Sequence, residues 1–163
     1  MMKKLKTIHV SLANFSKLVD WAPPLFARVV IGYMFFVAGR GKLFPEEAGL
    51  STADGLDRVA KYFETLNIPM PWFNALLASG TEFFGGALFI IGLGTRYVGV
   101  GLAFTMFIAM ITAHNGDWGG DSPIAVINSM SSVEVILYMM ICLLVVTHGA
   151  GKASLDHLIK AKV

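Results

Sequence analysis

Few residues in this chain could do chemistry, and the least expected of them sits inside an apolar block. The stretch "ASGTEFFGGALFIIGLG", Ala78 to Gly94, is almost wholly apolar or small, yet it carries Glu82. A charge at the centre of a bilayer costs about 2.5–3.5 kcal/mol on insertion scales. Glu82 is therefore expected to be protonated, ion-paired or turned toward a wet cavity. Two readings follow: a proton-linked or ligand-binding carboxylate, or a structural ion pair that locks helices together.

Other titratable side chains could work with it. Arg28, Gly32, Phe35, Gly39 and Lys42 fall on one helical stripe. Its two cations lie about 21 Å apart along the axis, with Glu82 between their levels. Either could snorkel inward to the carboxylate or outward to headgroups. His114, followed by Asn115 and Gly116, reads as a helix end or as a proton or ligand contact at the bundle mouth. Glu134 follows Ser131 by three residues, the spacing of a capping box, with Tyr138 on its face. Arg96 sits in a tight turn, where membrane topology alone accounts for it.

Several chemistries are excluded. The one cysteine, Cys142, cannot form an internal disulfide or run dithiol exchange alone. Of the four histidines, His114 and His148 fall at opposite ends, while His9 and His157 lie outside the apolar blocks, so bis-histidine haem is not expected. There is no HExxH, no Cys/His cluster and no phosphate-binding glycine loop. Asp117 and Asp121 in "GDWGGD" fall short of a calcium site. The nine methionines are scattered and read as packing. No cofactor site is legible, and no metal is expected.

The elements that must position these residues are membrane helices. The 163 residues fit a single domain, 1–163. Only 15% are charged, against roughly 25% in soluble domains, and mean hydropathy is +0.65. A net charge of +2 is too small to argue for nucleic acid. Apolar blocks at 24–44, 73–93, 97–114 and 132–149 approach the ~20 residues that span a bilayer. Nine lysines and arginines fall on the side of the termini and the "GTR" turn, and four on the other side. The positive-inside rule then puts both termini in the cytoplasm. Between the first two blocks, Leu56, Val59, Phe63 and Leu66 recur at helical spacing. Ser51 or Thr52 would cap that amphipathic helix, and Pro69 and Pro71 would end it. It is expected on the membrane surface or over the bundle mouth. Ala75, Ala78, Ser79, Glu82, Gly85 and Gly86 share one face of the second block. Small residues let membrane helices approach, so Glu82 is expected on a packing face. Gly99 with Ala103, Gly101 with Thr105, and Ala109 with Ala113 repeat that device in the third block. The expected fold is an all-α, integral-membrane four-helix bundle with one amphipathic surface helix between helices 1 and 2.

Five ordered motifs carry a resemblance. They are R-x3-G-x6-G-x2-KL from Arg28 to Leu43, "LNIPMP" from Leu66 to Pro71, and G-x-E-x2-GG from Gly80 to Gly86. Then come "GLGTR" from Gly92 to Arg96 and "GAGKASLDHLI" from Gly149 to Ile159. Through these the chain resembles the DoxX family of small bacterial four-helix membrane proteins, over about residues 22–159. The resemblance implies a bacterial inner-membrane protein linked to redox systems, the family being named for a small subunit of a terminal quinol oxidase. It also implies soluble redox partner proteins for some members. The lone Cys142 speaks against direct thiol chemistry here.

Two functions follow from residues and resemblance together. The first is an accessory subunit of a membrane redox or quinol-linked assembly, more than a stand-alone enzyme. It would bind a quinone-like or other small amphipathic molecule within the bundle through Glu82, Lys42, Arg28 and His114. The second is a non-enzymatic scaffold that anchors a partner protein. A small transporter would need a homo-oligomer, because one chain supplies only four helices.

Overall fold

The computed structural model describes residues 21–45, 51–113 and 134–160. His114, Ser131 and the glycine-rich stretch between them lie outside the described residues, as do the N-terminal lysines. The described residues form six helices: α1 (Ala22–Leu43), α2 (Thr52–Thr65), α3 (Pro71–Ile91), α4 (Thr95–Thr112), α5 (Glu134–His148) and α6 (Leu155–Lys160). Helices α1, α3 and α4 are long and apolar enough to cross a membrane; α5 is apolar but has 15 residues. The bundle and its membrane character are as the sequence suggests. The described helices start about two residues earlier than the apolar blocks at α1, α3 and α4, because Pro23, Pro71 and Thr95 open them.

Glycine sets the spacing of the bundle. Lipid tails are as apolar as leucine, so close backbone approach must replace hydrophobic drive. A Cβ on Gly39 would strike the backbone of Phe83, and one on Gly86 the backbone of Phe36. These contacts seat α1 against α3. A Cβ on Gly99 would come within 2.7 Å of Val146, which fixes α4 against α5. Ile31, Phe35, Phe89, Leu102, Met106 and Val145 fill the space between the pairs. Phe89 is fully buried, a gap-filler rather than a lipid contact.

Helix α2 is clamped at both ends. The Ser51 hydroxyl accepts from the Asp54 amide, and the Asp54 carboxylate accepts from the Ser51 amide at 2.6 Å. The Ser51 hydroxyl also donates to that carboxylate, and these bonds hold the Asp54 carboxyl below its ordinary range. The helix stops not at a proline but at Asn67, in the left-handed region at φ 55°. The amides of Asn67 and Ile68 donate back to the carbonyls of Glu64 and Phe63, the Schellman pattern. Pro71, expected to end α2, instead opens α3. The Asn74 amide donates to the Pro69 carbonyl and Trp72 donates to Asp57, so α2 is tied to the start of α3.

Candidate functional site

Glu82 and Lys42 meet. The Lys42 ammonium donates to both carboxylate oxygens, at 2.7 Å to Oε1 and 2.5 Å to Oε2. The Glu82 side chain is 6% exposed and that of Lys42 36%, so the pair is buried at the carboxylate and open at the ammonium. The register has a local cause. Gly55 of α2 sits against the Lys42 carbonyl, where any Cβ would collide, and this packs α2 onto the end of α1. The tight approach of Gly39 to Phe83 brings the next turn of α1 beside Glu82.

The pair lies in the wall of a cavity of about 540 Å³. Helix α2 contributes Arg58, Val59, Tyr62 and Phe63, with Leu66 just beyond its end. Helix α3 contributes the face from Asn74 to Glu82, and α4 the face from Gly101 to Ala113. The wall is mostly apolar, and the volume suits a small-molecule site. An ammonium has three donors, of which Glu82 takes two. The pair can thus donate to one ligand oxygen while the carboxylate accepts from a ligand hydroxyl.

Arg28 is elsewhere. It is 2% exposed and lies at the opposite end of α1. Its guanidinium donates to the Ala150 carbonyl at 3.0 Å and to the Ala153 carbonyl at 2.7 Å. It neither snorkels nor reaches Glu82. Beside it, Gly92 and Gly94 turn α3 into α4 in the left-handed region. Asp156 accepts from the Gly94 and Thr95 amides at 2.7 and 2.9 Å, capping α4 from another helix, and its own amide donates to the Gly92 carbonyl. Burial alone would raise the Asp156 pKa, but the two amides and the Lys160 charge outweigh it and hold the carboxyl below its ordinary 3.8. The motifs at Arg28, "GLGTR" and "GAGKASLDHLI" are therefore one polar clasp.

The remaining candidates are peripheral. Arg96 is exposed at that turn. Glu134 accepts from the Tyr138 hydroxyl at 3.0 Å on an exposed face. His114 and the Ser131 partner of Glu134 lie outside the described residues. Sequence reasoning expected a molecule within the bundle but not which faces line the cavity. Gly101, Thr105, Ala109 and Ala113 read as helix-packing pairs, but they line open space. Periodicity finds a small-residue face; it does not say whether a helix covers it.

These features define a small helical membrane protein with an ion pair set in the wall of an apolar cavity. The chain matches the DoxX family over residues 24–115 and belongs to it. A Bacillus subtilis (strain 168) protein named "Putative oxidoreductase CatD" is 35% identical over 88 residues, 54% of this chain and 57% of that relative. The match thus spans little more than half the relative's length. No solved structure matches the chain.

Proposed function

We propose that this protein is an accessory membrane subunit of a redox or quinol-linked assembly, binding a small amphipathic molecule in the α2–α3–α4 cavity. The observation that carries this reading is the Glu82–Lys42 pair in the wall of that cavity. The name of the similar Bacillus subtilis protein supports a redox setting. Lys42 would donate to a carbonyl oxygen of the ligand. Glu82 would accept from a hydroxyl and hold a proton when the ligand changes state. The apolar wall would take the rest of the molecule and exclude water. Membrane orientation follows the charge bias, with the clasp and both termini cytoplasmic in a bacterial inner membrane.

A scaffold is the second reading, favoured by the ion pair's direct link between α1 and α3. Native mass spectrometry with lipid extraction separates the two. A quinone or other small molecule is expected with the wild type and absent from Glu82→Gln. No ligand in either, with unchanged partner capture, would leave the scaffold.

A further inference from the structure

The shape of the cavity narrows what it would hold, and this inference rests on the binding role proposed above. Along α4 the wall runs from Gly101 to Ala113, about 18 Å at the helical rise.

The cavity wall carries several polar groups, Arg58 and Tyr62 of α2 among them. The Thr105 hydroxyl donates to the Gly101 carbonyl at 3.1 Å, and that of Thr112 to the Ile108 carbonyl at 2.7 Å. Both are spent on their own helix. The Asn74 amide is spent on Pro69. The Lys42–Glu82 pair stands at the Gly101 end, because Glu82 adjoins Thr81 and a Cβ on Gly101 would lie 3.7 Å from Thr81 Cγ2.

Among the described residues, Gly101 has no packing reason to be glycine. Inside a helix glycine is disfavoured against alanine. At Gly39, Gly86 and Gly99 a Cβ would collide with a neighbour; at Gly101 it would meet ordinary contact with one methyl group. Gly41 and Gly80 also have room, but neither lines the cavity. What the missing side chain provides at Gly101 is space beside the ion pair.

We infer that the cavity takes a small amphiphile with its oxygen-bearing head at the Gly101 end, against Lys42 and Glu82, and that Gly101 sets the size of that head.

The test is equilibrium dialysis of the full chain in detergent micelles with decylubiquinone and dodecanol as probes. Wild type is expected to take up decylubiquinone. Gly101→Ala should weaken that binding several-fold and Gly101→Leu at least tenfold, while both melt like wild type. Dodecanol, with its small head, should be affected less by Gly101→Ala. Unchanged decylubiquinone binding in both Gly101 variants, with loss in Glu82→Gln, would overturn the head placement and leave the binding role standing. If wild type binds neither probe, or all variants bind equally, the binding role itself fails and this inference with it.

Discussion

Lys42 commits two donors to one carboxylate, and that economy decides what either residue can be replaced by. Glu82→Gln leaves the ammonium without its counter-charge, and Lys42→Met leaves a buried carboxylate alone. Removing one partner of a fully buried pair costs 3–5 kcal/mol; with Lys42 about a third exposed, each single change is expected to cost about 1–3 kcal/mol. The double variant should lose less than the sum of the two, which thermal unfolding in detergent would measure as a coupling energy. Strict additivity would mean the two groups do not act as a pair. The pair was partly legible in the sequence, since helical spacing put Glu82 and Lys42 on facing stripes. Arg28 was not legible. Its partners are backbone carbonyls of Ala150 and Ala153, and a carbonyl leaves no mark in the residue type.

At the scale of elements, the clasp and α2 show how short segments fix long ones. Asp156 caps α4 from α6, so the α3–α4 turn depends on a helix of only six residues. A carboxyl whose pKa is lower in the folded state stabilises the fold above its unfolded pKa. That stabilisation is lost as pH falls through the folded value. Asp156 is such a group, its pKa held below 3.8. Asp156→Asn is therefore expected to lower the melting temperature by the same amount at about pH 7 and about pH 5, with the gap closing only below the ordinary carboxylate value. A gap that closed near neutral pH would point to another group. The stop of α2 shows why motif reading misplaced its end. Prolines drew attention at 69 and 71, but Asn67 in a left-handed conformation does the stopping, and Pro71 serves the next helix. The capping serine was legible because Ser51 and Asp54 are neighbours in sequence.

For the molecule as a whole, the fold was legible because lipid leaves few alternatives to helices with satisfied backbones. The position of the cavity was not, because it depends on α2 covering α3 while the described residues leave the Gly101–Ala113 face of α4 open, and spacing within one helix says nothing about that. The proposed orientation is open to direct measurement. Cys142 is fully buried, so the native thiol need not be removed before labelling. His157 is exposed on α6. His157→Cys is expected to resist a membrane-impermeant maleimide in intact spheroplasts and to react after permeabilisation. Labelling from outside would reverse the orientation.

The clasp also sets a timetable. The carbonyl that receives Arg28 belongs to Ala150, 122 residues later in the chain. At about 5–20 residues per second, synthesis reaches it roughly 6–25 s after Arg28 is made. During that interval the first helix carries a cation without its acceptors, so the Arg28 end is expected to stay in the headgroup layer. Only when the later segment emerges can the guanidinium be drawn in and the helix take its final depth, so insertion of the first span is completed by one of the last contacts to form.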